Sequence, residues 1–200
     1  MRLEAKNISF RYENGPWILN NFNFAMEANE RVGLIGPSGY GKSTLAKLLA
    51  GYEMPVSGDI LLDGRPLPIN GYCPVQLIYQ HPEKAVNPRW KLKDILCEGW
   101  NPDITLLKAM GIEPEWLERW PNELSGGELQ RFAVARSLGE NTRFILADEM
   151  STMLDVITQA QIWNLVMDVV QTRNIGLLLV THNKALAERL CTRIIDLGGF

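Results

Sequence analysis

The sequence predicts an α/β domain with a mixed, mainly parallel sheet, an N-terminal antiparallel β region and an inserted α-helical subdomain. Three observations carry that prediction. The apolar run Val32-Gly33-Leu34-Ile35 leads through a glycine-rich loop into the helical pattern Leu45-Ala46-Lys47-Leu48-Leu49. Two further runs, Phe144-Ile145-Leu146-Ala147 and Gly176-Leu177-Leu178-Leu179-Val180, are apolar without interruption, as strands buried on both faces of a parallel sheet must be. Between His81 and about Trp120 the chain instead carries prolines at 82, 88, 102 and 114, tryptophans at 90, 100, 116 and 120, and short helical stretches. With 200 residues, 46% of them hydrophobic, the chain suffices for one domain, its core formed by 1–80 and 140–200 and its helical insertion by 81–139.

Residues 3–12 alternate loosely through Leu3, Ile8, Phe10 and Tyr12. Residues 17–26 do so again, with the turn signal Glu13-Asn14-Gly15-Pro16 between them, so an antiparallel pair is expected. Tyr12 lies just before that turn, placed either as a core aromatic or as a ring free to stack on a nucleobase.

The loop itself reads Gly36-Pro37-Ser38-Gly39-Tyr40-Gly41-Lys42-Ser43-Thr44, the pattern GxxxxGK(S/T) between a strand and a helix. Its glycines let the backbone turn sharply and aim successive N–H groups at one point, where the helix N-terminus adds positive field. A polyphosphate suits that point, with Lys42 at the β- and γ-phosphates and the Ser43 hydroxyl on Mg²⁺. The alternative is a tight turn with an exposed lysine.

Asp59-Ile60-Leu61-Leu62-Asp63-Gly64 reads as a strand ending in Asp-Gly, and Val75-Gln76-Leu77-Ile78-Tyr79 as a short strand stopping at Gln80. A glutamine there is either solvated or a neutral oxygen donor for a metal or a water. The tryptophans of the insertion are expected mainly in its core or on a docking surface.

Leu124-Ser125-Gly126-Gly127-Glu128-Leu129-Gln130-Arg131 places Glu128 three residues after Ser125, a capping box that opens a helix running to Gly139. That start is either an ordinary cap or a second anion site built from backbone N–H groups and the serine hydroxyl. Asp148 and Glu149 close the run at 144–147 and, by strand alternation, are expected to face opposite ways with different tasks. Asp148 suits a metal shell and Glu149 a general base, against the alternative of two solvated acids. Ser151-Thr152-Met153-Leu154-Asp155 is expected to turn into a helix with Val156, Ala160, Trp163, Val166, Met167 and Val170 on its apolar face. His182 follows the strand at 176–180, as a phosphate contact or a structural residue. Lys184 to Cys191 is expected to be helical, Ile194 to Leu197 to be the last strand, and the chain to close at Gly198-Gly199-Phe200.

The net charge of −3, from 20 Lys and Arg against 23 Asp and Glu, gives no overall basic surface for nucleic acid. Cys73, Cys97 and Cys191, odd in number and without CxxC spacing, argue against a disulfide framework or a zinc site, and His81 and His182 lie far apart. The start Met1-Arg2-Leu3-Glu4-Ala5-Lys6 lacks the apolar core of a signal peptide, and no run approaches the ~20 apolar residues that span a bilayer, so a soluble chain is expected.

The order of these parts resembles the ATP-binding subunit of ABC transporters along nearly the whole chain. Gly36 to Thr44 looks like the family's Walker A loop, Gln80 like its Q-loop glutamine, Leu124 to Arg131 like its LSGGQ-type signature, and Phe144 to Glu149 like its Walker B strand. Ser151 to Asp155 resembles the D-loop, His182 the switch histidine and Tyr12 the aromatic that stacks on adenine. Tyr79-Gln80-His81-Pro82 with Asn87-Pro88-Arg89, and Ala147-Asp148-Glu149 with Leu154-Asp155-Val156 and Gln159-Ala160-Gln161, look closest to the ATPases of oligopeptide, dipeptide and nickel importers. The chain departs from the family pattern at Tyr40, usually small, at Glu128 for glutamine, at Met150 for proline and at Asn183 for aspartate.

The resemblance implies a P-loop NTPase with a RecA-like core that hydrolyses ATP with Mg²⁺. It implies a head-to-tail pair with a second ATPase subunit and a peripheral position on the cytoplasmic face of the cell's inner membrane. Transmembrane permease subunits and an extracytoplasmic substrate-binding protein are its implied partners, and nucleic acid is not. Residues 36–44 would hold the phosphates, with Ser43, Gln80 and Asp148 in the Mg²⁺ shell. Ser125, Gly126 and Gly127 would reach the γ-phosphate of the ATP on the other subunit, beside the Asp155 turn. Glu149 would polarise the attacking water while His182 orients the γ-phosphate. The rival within the superfamily is a non-transport ATPase acting on nucleic acid or the ribosome, for which the chain shows no coiled-coil insertion or basic arm. A phosphoryl-transferring kinase would leave the helix at Ser125 unexplained.

Overall fold

The structure, a computed structural model, describes residues 1–152 and 154–199. Met153, in the expected turn at 151–155, and Phe200, at the expected close of the chain, lie outside the described residues. The N-terminal pair forms as expected: β1 (Arg2–Phe10) and β2 (Leu19–Glu27) run antiparallel, with Leu3 opposite Met26, Ala5 opposite Phe24 and Phe10 opposite Leu19. Register shifts between Ala5 and Ile8 and between Ile8 and Phe10 explain why the alternation is loose, since a bulge turns the following side chains over. β3 (Arg31–Ile35) then feeds the glycine-rich loop and α1 (Lys42–Leu49).

β4 (Ser57–Leu62) pairs with β1 and turns back into the two-residue β5 (Arg65–Pro66). Asp63 and Gly64, at φ 49° and 74°, supply the two left-handed positions that a tight hairpin matching strand twist requires. After β6 (Val75–Ile78) come short 3-10 turns at Pro82–Lys84, Pro114–Glu118 and Pro121–Glu123, with α2 (Leu92–Leu96) and α3 (Ile104–Ala109) between them, and then α4 (Gly126–Ser137). The remainder alternates as β7 (Phe144–Asp148), α5 (Val156–Thr172), β8 (Gly176–Val180), α6 (Lys184–Leu190) and β9 (Arg193–Asp196), closing in a 3-10 turn at Leu197–Gly199.

The expected mixture of strand directions is divided between two sheets. One is antiparallel in the order β2-β1-β4-β5, and the other wholly parallel in the order β6-β7-β8-β3-β9. Alternation along β7 and β8 then assigns the core. Phe144, Leu146, Leu178 and Val180 pack with α1 and the antiparallel sheet, while Ile145, Ala147, Leu177 and Leu179 pack with α4, α5 and α6. Because the second sheet is parallel, β3, β6, β7 and β8 all end at one edge, where ligands of open α/β sheets bind.

One expectation is corrected. On α5 the buried residues are Ile162, Trp163, Val166 and Val170, with Met167 packed partly against them, but Ala160 is exposed and Val156 is 80% exposed. The 3.6-residue period chose the face correctly; the helix, however, begins at the strand edge, and its first turn stands beyond the core. Among the tryptophans of the insertion, Trp100 and Trp116 are only half-buried against the core, and Trp90 and Trp120 are exposed.

Candidate functional site

The loop after β3 is built on left-handed glycines. Gly39 (φ 88°) has open space around it, so backbone conformation alone requires glycine there, whereas at Gly41 (φ 82°) a Cβ would also stand 2.8 Å from Ile18 Cγ2. Gly41 opens α1 without any side-chain cap, which leaves the first N–H groups of the helix without intrahelical partners. Lys42 is buried, and its Nζ donates to the Gly36 and Pro37 carbonyls, both at 2.8 Å. The ammonium is thus folded back inside the loop. Pro37, Ser38 and Tyr40 lie exposed along the rim, while Ser43 and Thr44 occupy the first turn of α1. Tyr12 is exposed and packs edge-on against Phe10, ring centroids 4.9 Å apart, which leaves a ring face open. Beside it, Arg11 lies over the Trp17 ring at 4.6 Å, a pairing the sequence reading missed.

Across the sheet edge, Ser43 Oγ donates to Asp148 Oδ1 at 2.9 Å. Asp148 is the last residue of β7 and is buried. Burial pushes its carboxyl above the ordinary value, the Ser43 hydrogen bond opposes that shift, and the nearby Glu149 charge adds to it. Glu149 has left the strand with φ 47°, so it is this left-handed turn, and not the strand pleat invoked from the sequence, that separates the two acids. For a non-glycine residue that conformation is held against a steric cost by the packing around the turn.

Glu149 Oε1 lies 3.1 Å from His182 Nδ1, and Glu149 Oε2 accepts from Gln80 Nε2 at 3.4 Å. Of the trio Ser43, Gln80 and Asp148, the structure brings together Ser43 and Asp148, while Gln80 contacts Glu149. Ser151 steadies the turn beyond: its Oγ accepts from Gln159 Nε2 at 2.7 Å and from Trp163 Nε1 at 3.1 Å. The one-turn spacing of 159 and 163 was the signal for this pair. Met150 is buried, and Asn183 caps α6 by accepting from Leu186 N at 3.1 Å, a task open to aspartate as well.

A separate cleft of about 580 Å³ opens at the start of α4, lined by Ser125, Gly126, Gly127, Trp116, Asp155 and Thr158 among others. The capping box is complete: Glu128 N donates to Ser125 Oγ at 3.3 Å, and Ser125 N donates to Glu128 Oε2 at 2.7 Å. Those bonds hold the Glu128 carboxyl below its usual range. Asp155 caps α5 by accepting from Ile157 N and Thr158 N, both at 3.0 Å, and the Thr158 bonds hold its carboxyl low as well. Arg131 joins this region to the insertion, donating to the Met110 carbonyl at 2.6 Å and to Thr158 Oγ1 at 3.2 Å. The sequence reading gave Arg131 no such task.

A glycine loop folded around a lysine at a helix start, facing a Ser–Asp pair and a second acid at one parallel-sheet edge, defines a P-loop nucleoside triphosphatase. The family model for ABC transporter matches residues 19–152. The nickel import ATP-binding protein NikE of Escherichia coli O6:K15:H31 is 33% identical over 220 residues, covering 96% of this chain and 82% of that protein. The NikE of Rhodospirillum rubrum is 35% identical over 90% of this chain and 72% of its own length. The nickel import system NikE of Staphylococcus aureus is 34% identical over 98% and 86%. Among solved structures, the ATP-binding cassette MJ0796, a dimer bound to ADP and Pi in a post-hydrolysis state, superposes with a TM-score of 0.82 at 25% identity, covering 98% of this chain and 95% of that one. The chain belongs to the ABC transporter family. It is an ATP-binding cassette that hydrolyses ATP to power transport. Among the described residues no helix is long and apolar enough to cross a membrane.

Proposed function

We propose that this chain is the ATPase subunit of a nickel- or peptide-type importer, peripheral on the cytoplasmic face of the inner membrane. Its partners are permease subunits, a second ATPase subunit arranged head to tail and an extracytoplasmic substrate-binding protein. One observation carries the reading: Ser43 with Asp148, and Glu149 with His182 and Gln80, form two adjacent pairings at the edge where the Lys42 loop opens. The relatives named for nickel import support the cargo class.

In this reading residues 36–44 hold the ATP phosphates through backbone N–H groups and Lys42, while Tyr12 presents its open face to the adenine. Ser43 and Asp148 fit Mg²⁺, being hard oxygen donors already paired, and Asp148 is a buried carboxylate whose charge a divalent cation would satisfy; Gln80 would supply the third side-chain oxygen of the set. Bound there, the ion would neutralise charge on the phosphate oxygens. Glu149 accepts the proton of the attacking water, held in place by His182, which in turn faces the γ-phosphate. Ser125, Gly126 and Gly127 belong to a cleft that the Lys42 loop does not line, and the resemblance to ABC transporter ATPases assigns them to the ATP of the second subunit, next to Asp155. Residues 81–139 act as a helical subdomain that passes closure to the permease, with 1–80 and 140–200 as the core.

The test is purification from membranes with uptake measured in parallel. The chain is expected to be retained with a multi-spanning membrane protein, and Lys42→Ala to abolish nickel or peptide uptake. Retention on ribosomes or nucleic acid, with uptake intact in the variant, would contradict the proposal.

A further inference from the structure

Gln130 lies on α4 downstream of Ser125 and is completely buried. Its Nε2 donates at 3.2 Å to the carbonyl of Tyr79, the last backbone oxygen before Gln80. A carbonyl only accepts, so this contact sets the amide orientation and turns Oε1 the other way. Among the described residues, Gln130 Oε1 is the one buried side-chain nitrogen or oxygen without a hydrogen-bond partner. Buried amides are normally satisfied on both sides. An amide kept inside a helix interface with its oxygen unpaired calls for a second arrangement in which that oxygen is used.

The two elements it joins are the ones the site depends on. α4 carries Ser125 into its own cleft, and the Tyr79–Gln80 turn carries the side chain that contacts Glu149. We propose that Gln130 is a positioning residue that ties the Ser125 helix to the Gln80 turn, so that a shift of α4 is delivered to Glu149 through Gln80. In the arrangement described here the tie is the single bond to Tyr79. When α4 and the end of β6 shift against one another, a backbone N–H of the Gln80 turn reaches Oε1 and the amide becomes doubly bonded. Because Ser125 serves the neighbouring subunit's ATP while Gln80 serves its own, Gln130 places the two nucleotide sites in one mechanical circuit. This inference rests on the roles proposed above for Ser125, Gln80 and Glu149.

The test is a double-mutant cycle on the full chain purified with its membrane partner. Gln130→Met keeps the length of the side chain and removes both the tie and the orphan oxygen. It is expected to melt at or above the wild-type temperature and to hydrolyse ATP with kcat lowered on the order of tenfold and KM unchanged. Introduced into a Gln80→Ala background, the same substitution is expected to have no further effect. Wild-type kcat in Gln130→Met, or equal fold losses in both backgrounds, would overturn the proposal. Gln130→Leu takes its place if the methionine variant does not fold. Glu149→Gln, assayed alongside, separates the two readings: normal hydrolysis there defeats the assignment of Glu149, whereas loss there with full activity in Gln130→Met defeats the tie alone.

Discussion

His182 Nδ1 stands 3.1 Å from Glu149 Oε1, so the second residue beyond β8 holds the side chain of the residue that follows β7. The backbone of Glu149 is tied by its N–H to the Val180 carbonyl at 3.0 Å, but its left-handed φ of 47° turns the side chain away from the strand pleat, and His182 meets it there. His182→Ala is expected to lower ATP turnover on the order of 10²-fold, the scale of a misplaced general base, with nucleotide affinity unchanged. Steady-state hydrolysis beside equilibrium nucleotide binding checks this; a rise in Kd with unaltered kcat would place His182 in binding instead.

Among the described residues Lys42 has no carboxylate hydrogen-bond partner; its ammonium donates to the Gly36 and Pro37 carbonyls. A phosphate offers a stronger, charge-assisted acceptor for the same ammonium. Lys42→Ala is therefore expected to weaken ATP binding by about 1.5–3 kcal/mol, roughly ten- to more than a hundredfold in Kd. Titration with a fluorescent ATP analogue measures it, and an unchanged Kd would refute the placement.

Burial holds the Asp148 carboxyl above its ordinary value of 3.8. The folded chain then binds more protons than the unfolded chain between the two values, so stability falls as pH rises through that window and the penalty persists above it. Asp148→Asn keeps an acceptor oxygen for Ser43 and removes the charge. In nucleotide-free, metal-free buffer the variant is expected to melt above wild type at pH 7, by about 2–4 °C per kcal/mol of penalty. The gap should shrink as the pH is lowered toward 3.8. Equal melting temperatures at pH 7 would contradict the direction of the shift.

Ser125 does two separable things: it caps α4, and it lines the cleft assigned to the neighbouring ATP. Ser125→Asp keeps a strong N-cap while placing a negative charge where a phosphate is proposed to arrive. Thermal stability is expected to stay within about 1 kcal/mol of wild type while hydrolysis and ATP-driven dimerisation, followed by light scattering, are lost. Retained dimerisation would remove Ser125 from that interface.

Much of the fold was legible because burial leaves its pattern in composition. The runs at 144–147 and 176–180 must be apolar throughout to be covered on both faces, and the loop must carry glycine where φ is positive, as at Gly39 and Gly41. What escaped depends on contacts distant in sequence. Nothing in an Asp-Glu pair announces that Glu149 turns left-handed, because packing around the turn imposes it. Helical periodicity identified the inner face of α5 but not where along its axis the core begins, so Val156 was misplaced. β5 is two exposed residues, one of them proline, and carries no strand pattern of its own. Gln130 reads as an ordinary polar position in an amphipathic helix, and only the approach of Tyr79 gives it a partner. The partner of Gln80 was likewise a question of which carboxylate the end of β6 meets.

The most direct measurement is ATP hydrolysis by Glu149→Gln at saturating ATP and Mg²⁺, together with the fraction of ATP-bound dimer. The substitution keeps the size of the side chain and its contact with His182 while removing the base. Nucleotide binding is expected to persist, turnover to fall on the order of 10²–10⁴-fold, and the closed dimer to accumulate. Hydrolysis close to the wild-type rate would contradict the assignment of Glu149 and, with it, the account of the site.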